Sequence, residues 1–118
     1  MNDPTLQRII DDEIMVDAYG DEEIESAWYA HMEEHLKFPF EAECIYAVGQ
    51  SPFRVGERVQ VVDIGEMESC AHGIFVKVSF GDRRFDIPLA HLKPLNVDAE
   101  TLTAVRCWYQ WLADGNEY

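Results

Sequence analysis

The chain has 118 residues, 47% of them apolar, and its formal charge at pH 7 is −14 because 23 acidic residues outnumber 9 basic ones. This composition fits a single globular domain and argues against nucleic acid or an anionic membrane as a partner, since phosphate binding depends on lysine and arginine. The sequence contains no apolar run of about eighteen residues and no basic flank leading into an apolar N-terminal stretch. We therefore expect a cytoplasmic, monomeric protein.

The cysteines support the same compartment. Their number is odd, which favours reduced thiols at Cys44, Cys70 and Cys107 over a disulfide framework. Cys70 and His72 could join Cys44 in a zinc site, but free cysteines are more often small buried hydrophobic residues.

A first helix is predicted to start at Asn2 or Asp3, with Pro4 in its first turn. Its apolar positions recur at about helical spacing, at Leu6, Ile9, Ile10, Ile14 and Val16. Gly20 is expected to end this helix in the left-handed conformation. Asp21 should then cap a second helix from Glu22 to Leu36, and the short connection predicts an antiparallel helical hairpin.

The junction of these two helices is the most acidic part of the chain. Residues 11–25 hold eight carboxylates and no basic side chain. Like charges at this density destabilise a fold unless a cation lies among them, and calcium prefers carboxylate, carbonyl and water oxygens. We expect the oxygens of the hairpin to converge on one ion; the candidates in this stretch are Glu13, Asp17, Asp21, Glu22 and Glu23. The alternative is an acidic helix pair that is simply solvated.

Two known metal-binding motifs bear on this region. An EF-hand is excluded, because a loop that starts at Asp17 would put Glu22 where glycine is needed and Trp28 where glutamate is needed. His31, Glu34 and His35 match the H-x-x-E-H pattern of inverted zinc peptidases. A match of five residues is weak evidence, and such enzymes need a third ligand and a deep cleft.

Short strands follow Phe38-Pro39-Phe40, at 41–46, 58–64, 74–80, 83–87 and 92–95, with Gly81-Asp82 as a tight hairpin turn. Their number and spacing predict a small five-stranded barrel of the SH3 type. A last helix is expected from Ala99 or Glu100 to Ala113, capped by Asp98 and ended by Gly115. Its aromatic residues around Trp108 and Trp111 are predicted to belong to the core.

The fold class is therefore α+β in a single domain, 1–118. Within it we expect an acidic helical hairpin over 1–37, an SH3-like barrel over 38–97 and a C-terminal helix over 98–118. The sequence shows no nucleophile, base and orienting residue at the spacing of a known catalytic motif, so we do not expect the protein to be an enzyme.

Several short segments, in their order, resemble the small acidic calcium-binding proteins first known from cyanobacteria. These segments are Val16-Asp-Ala-Tyr-Gly20, Ala27-Trp-Tyr29, Phe38-Pro-Phe40, Ser51-Pro52, Pro88-Leu89 and Trp108-Tyr-x-Trp111, together with Glu33, Cys44 and Cys70. The resemblance implies Ca²⁺ binding without an EF-hand, in a cytosolic buffer or sensor; in filamentous cyanobacteria the relative is tied to heterocyst development. The residues that match the family's acidic segment are Glu13, Asp17, Glu23 and Glu33.

The predicted function is thus calcium binding at a non-EF-hand acidic site. The alternative is an acidic interaction module that docks a basic protein partner, with calcium incidental. Titration with calcium and with magnesium at physiological salt separates the two, because screening of a diffuse charge does not saturate.

Overall fold

The computed structural model describes residues 3–47, 51–70 and 73–116. It contains three α-helices and five strands: α1 Pro4–Ile9, α2 Asp21–His35, α3 Ala99–Ala113, β1 Phe40–Cys44, β2 Arg58–Ile64, β3 Phe75–Phe80, β4 Arg83–Pro88 and β5 Leu92–Leu95. Among the described residues, no helix has the length and apolar character needed to cross a membrane. The predicted α+β class is confirmed.

The five strands form one antiparallel sheet in the order β4-β3-β2-β1-β5. Ala42 of β1, which lies between β2 and β5, is opposite Val59 on one side and Pro94 on the other. The ladder between β2 and β3 shifts register between Val61 and Asp63. The predicted five-stranded, SH3-like sheet is present, but the edge strands β4 and β5 do not pair with each other in the described part of the chain, so the sheet is not closed. Each edge strand hydrogen-bonds to a single neighbour, and all four residues of β5 pair with residues of β1.

The C-terminal helix agrees with its sequence signals. The side chain of Asp98 accepts a hydrogen bond from the Thr101 N–H at 2.8 Å, which satisfies one of the free donors at the start of α3. Gly115 follows the helix with a φ of 86°, a conformation that glycine adopts without strain.

The first helix is shorter than predicted. Asp3 caps α1 as expected, but α1 leads into a π-helical segment, Ile10–Ile14, after which the chain leaves the helix. The reason is burial: Ile10 and Ile14 are nearly inaccessible, whereas Val16 is 54% exposed and adds nothing to an apolar stripe. The predicted end at Gly20 is wrong. Gly20 is instead the N-cap of α2, with a φ of −123°, and Asp21 is the first residue of that helix, not its cap.

The predicted helical hairpin also differs in its packing, because α1 packs chiefly on α3 and the π-helical segment is the part that contacts α2. The Asp3 N–H donates to Oε1 of Gln110 at 2.8 Å, and Nε2 of Gln110 donates back to the Asp3 carbonyl at 3.2 Å. This pair of hydrogen bonds joins residues 107 positions apart.

Three tryptophans hold the helices on the sheet. Trp28 of α2 is fully buried, with ring centroids 5.0 Å from Trp108 and 5.2 Å from Trp111 of α3. Contacts of this kind contribute about 0.5–1.5 kcal/mol beyond the burial of area alone. The predicted core role of the aromatic residues in α3 is confirmed.

Candidate metal centre

A turn over residues 15–20 links the π-helical segment to α2. The Met15 N–H donates to the Ile10 carbonyl at 2.7 Å, and the Ala18 N–H donates to the Met15 carbonyl at 3.1 Å. Asp17 lies between them with a φ of 62°, a left-handed conformation that Asp and Asn tolerate better than other residues with a side chain. Tyr19 is 84% exposed. The turn therefore projects from the body of the protein.

The first turn of α2 brings further carboxylates to this point. Asp21, Glu22 and Glu23 are its first three residues. The helix dipole stabilises negative charge here, by about 0.3–1 kcal/mol per group in typical surface positions. Glu23 is also tethered, because its Oε2 accepts a hydrogen bond from the Tyr19 N–H at 3.1 Å.

A concave surface of about 510 Å³ lies between the turn and the first two turns of α2. Its polar lining consists of the carboxylates of Asp17, Glu22 and Glu23 with the hydroxyl-bearing Ser26, and we call it the acidic pocket. Ser26 lies four residues after Glu22, so both side chains share one face of the helix. Val16, Ala18 and Ala27 complete the wall.

The negative charge of this region is not compensated within the described part of the chain. The ion pairs there join Lys37 or His35 to Glu100, His35 to Glu34, and Lys77 to Glu66. None of the eight carboxylates of residues 11–25 takes part in them. These groups therefore repel one another, and a bound cation would relieve that repulsion.

The donor set of the acidic pocket fits a hard cation such as Ca²⁺. Calcium accepts six to eight oxygen ligands in a flexible geometry and takes water as part of its shell. Asp17, Glu22 and Glu23 are exposed, so their side chains can move and water can supply the remaining ligands. As they stand, no three His, Cys, Asp or Glu side chains of the described residues are gathered closely enough to hold an ion. The pocket thus supplies matching chemistry and needs side-chain rotation to close on a metal.

The structure separates the remaining predicted ligands from this pocket. Asp21 lies in the same helical turn but not in the lining. Glu13 lines a different groove, beside His31 and His35. The reason is the early end of the first helix, which leaves Glu13 on the π-helical segment and lets the chain turn before Asp17.

Glu33 lies on a third surface, near the hydroxyl of Tyr29. Burial raises the pKa of Tyr29, and the charges of Glu33, Glu66 and Asp63 raise it further. The Tyr29 hydroxyl donates to the Gly65 carbonyl at 2.8 Å, so this surface joins α2 to the sheet. Sequence reasoning missed that Asp63 and Glu66 lie near Tyr29 of α2, because this proximity depends on how α2 packs across the sheet.

The alternative zinc site around Cys44 and Cys70 receives no support from the described residues; His72 lies outside them. The Cys44 thiol donates to the Tyr46 carbonyl at 3.3 Å, and the Cys70 thiol contacts the Phe75 backbone. Burial raises the pKa of Cys70 and so opposes the thiolate that zinc requires.

Comparison with known proteins independently points to calcium binding. A CcbP-type family model, described as calcium binding, matches residues 7–112. The crystal structure of Anabaena CcbP is similar with a TM-score of 0.88 and 28% identity, covering 100% of this chain and 97% of that one. A calcium-binding protein in its calcium-binding form is similar with a TM-score of 0.86 and 27% identity, covering 99% of this chain and 96% of that one. The curated proteins contain no significant match.

Proposed function

The chain belongs to the CcbP-type family of calcium-binding proteins, and from this premise we propose that it binds Ca²⁺ in the acidic pocket, through Asp17, Glu22 and Glu23. Calcium is the ion of this family and of the structural neighbour in its calcium-binding form. The single observation that carries the assignment within the fold is the convergence of three carboxylates without an ion-pair partner, in the described residues, on one concave surface.

Each residue has a separate part in holding the ion. Asp17 supplies a carboxylate from the turn, while Glu22 and Glu23 supply carboxylates from α2. The Ser26 hydroxyl and water are available to complete the oxygen shell. The helix N-terminus disfavours a cation, so the affinity must come from the carboxylates. A site of this kind, on exposed side chains without a rigid loop, should bind with micromolar to submillimolar strength.

The role that follows is a cytoplasmic, monomeric calcium buffer or sensor without catalytic activity. Free thiols at Cys44, Cys70 and Cys107, all buried, support a reducing compartment. The high acidic charge supports a soluble monomer in which like-charged copies repel one another. Asp21, an exposed carboxylate in the first turn of α2, is the remaining candidate for a weaker calcium contact beside this pocket, whereas Glu13 and Glu33 lie on other surfaces.

Isothermal titration of Ca²⁺ into chelator-treated protein at physiological salt tests the proposal, with Mg²⁺ as the matched control. We expect saturable heat with calcium and much weaker binding of magnesium, which gives up its water reluctantly. Absence of saturable binding up to several millimolar calcium would contradict the proposal. It would favour the alternative, an acidic surface that docks a basic protein partner.

A further inference from the structure

A second groove, away from the acidic pocket, carries ligands of a different chemical type. It has a volume of about 310 Å³ and lies where the end of α1 and the π-helical segment meet α2 and α3. Its polar lining consists of Glu13, His31, His35, Glu100 and Thr103. We call it the histidine groove; none of these residues lines the acidic pocket.

The two histidines lie four residues apart on α2, a spacing that puts both rings on one face of the helix. Their ring centroids are 4.2 Å apart with 39° between the ring planes. Histidines at this spacing on a helix are the arrangement with which zinc enzymes of the H-E-x-x-H type hold their metal. Both histidines line the same groove, so rotation of their rings can bring both to one ion.

His35 is oriented as metal-binding histidines usually are. Its Nδ1 lies 2.9 Å from Oε2 of Glu100. In the tautomer that donates this hydrogen bond, Nε2 keeps its lone pair, and a carboxylate partner on the far nitrogen both orients the ring and increases its basicity. The Lys37 ammonium lies 3.6 Å from the same Glu100 oxygen and holds that carboxylate in place. Oε2 of Glu34 lies 3.9 Å from Nε2 of His35.

His31 is held neutral by its surroundings. Burial, and next the neighbouring His35, lower the pKa of His31 to about 4. The edge of the Trp28 ring packs against it, with centroids 6.4 Å apart.

A third ligand is available across the groove. Glu13 is exposed, lines the groove from the π-helical segment and has no ion-pair partner among the described residues. Imidazole nitrogen suits Zn²⁺, Cu²⁺ and Ni²⁺, whereas Ca²⁺ prefers oxygen, so the histidine groove and the acidic pocket select different ions.

We propose that His31 and His35 bind a divalent transition-metal ion such as Zn²⁺, with Glu13 as the carboxylate ligand and Glu100 as the positioning residue of His35. The site is distinct from the calcium site and does not depend on it. Since no three of these groups are gathered closely enough in the described structure, rotation of the two rings and of Glu13 accompanies binding.

Titration of Zn²⁺ into protein with and without saturating calcium tests the proposal. We expect one equivalent to bind with the same affinity in both conditions. His35→Gln and His31→Gln should each weaken zinc binding by at least about tenfold, and Glu100→Gln by roughly ten- to a hundredfold if it orients His35. His91→Gln is the matched control; its ring packs against Tyr46, outside the groove, and zinc affinity should not change.

Substitution by Co²⁺ distinguishes the ligands directly, because thiolate ligands give intense charge-transfer absorption that imidazole and carboxylate ligands do not. We expect only the weaker bands of nitrogen and oxygen ligands. Thiolate absorption, zinc affinity unchanged in both histidine variants, or an equal loss in His91→Gln would each overturn the proposal. His35 is the less buried of the pair, so its variant decides the outcome even if His31→Gln fails to fold. A negative calcium titration leaves this test unaffected.

Discussion

Asp17 combines two roles that a sequence reader sees as alternatives, because it shapes the turn and also carries a charge. Its φ of 62° needs a residue that tolerates the left-handed region, and the residue lines the acidic pocket. Asn satisfies the first requirement and not the second. One substitution therefore separates the backbone role of this residue from its electrostatic role.

We expect Asp17→Asn to weaken calcium binding at least severalfold, because the affinity of a calcium site depends on the charge of its ligands. The calcium-free protein should be as stable as before, or more stable through relief of repulsion among residues 11–25. Calorimetric titration gives the affinity, and denaturant unfolding in chelator gives the stability.

The control is Asp82→Asn, the same chemical change in the exposed β3–β4 turn. It should leave calcium affinity nearly unchanged. An equal loss in both variants would mean that diffuse charge, not a localised site, attracts the ion. Loss of stability without loss of affinity in Asp17→Asn would make Asp17 a structural residue only.

His31 should give the protein a measurable sensitivity to acid. Its pKa in the folded state is lowered to about 4 from 6.5, first by burial and then by His35. The unfolded chain therefore binds more protons between these values, so the stability contributed by neutral His31 is complete above about pH 6.5 and is lost as the pH falls towards 4. In His31→Gln, the free energy of unfolding should decline less over this window. Denaturant unfolding at a series of pH values measures it, and parallel curves for the two proteins would contradict the assignment.

At the scale of a helix, the clearest test is the start of α3. Hydrogen bonds from the Thr101 hydroxyl and N–H lower the pKa of Asp98. A depressed carboxyl pKa contributes stability that is present at neutral pH and is lost as the pH falls through the folded-state value. We expect Asp98→Ala to lower the melting temperature at pH 7 and to have a much smaller effect near pH 2.

Asp98→Asn is the matched variant, since Asn is also a good N-cap and does not ionise at its side chain. It should retain most of the stability at pH 7 and lose the pH dependence. A melting temperature as low as that of Asp98→Ala would show that the charge, and not the cap hydrogen bond, stabilises α3.

Elements with strong local signals were predicted closely, and the others depend on packing. β2, β5 and α3 match their expected bounds, because alternation, turn residues and a cap all agree there. The predicted first helix is too long, because Val16 fits the apolar spacing but its side chain is exposed to solvent. The π-helical segment that buries both Ile10 and Ile14 has no signature in the sequence, because only the position of the core requires it.

In the candidate site, too, local sequence signals predict one part and tertiary packing decides the other. Charge density in the sequence drew attention to the turn before α2, and Asp17, Glu22 and Glu23 line one concave surface there; their role as ligands stays a prediction. Glu13 and Glu33 lie elsewhere, because their directions depend on a helix end and on a crossing of α2 over the sheet. Ser26 could have been found from its spacing, four residues after Glu22.

For the whole molecule, the balance between core and charge predicts how calcium affects stability. The core of three tryptophans and the sheet is complete without an ion, while the net charge of −14 opposes the compact state. The calcium-free protein should thus fold but melt at a lower temperature. A ligand that binds only the folded state stabilises it by about 2.7 kcal/mol at a hundredfold excess over Kd.

Thermal unfolding by circular dichroism in calcium and in chelator measures this difference. Magnesium at equal concentration, and sodium chloride at equal ionic strength, separate specific binding from screening. Equal melting temperatures in calcium and chelator would count against a folded-state site, and a rise that sodium chloride reproduces would assign the effect to screening.

The hydrogen bonds between Asp3 and Gln110 place the start of α1 beside the last turn of α3. Two terminal segments that lie side by side can be joined by a linker while the chain is opened at a surface loop. A circular permutant that opens at the exposed Gly81-Asp82 turn and joins the former ends by a short linker retains the acidic pocket and the tryptophan core. The same geometry lets the domain be spliced into a surface loop of a host enzyme, where the increase in stability on calcium binding would be converted into a change in the host's activity.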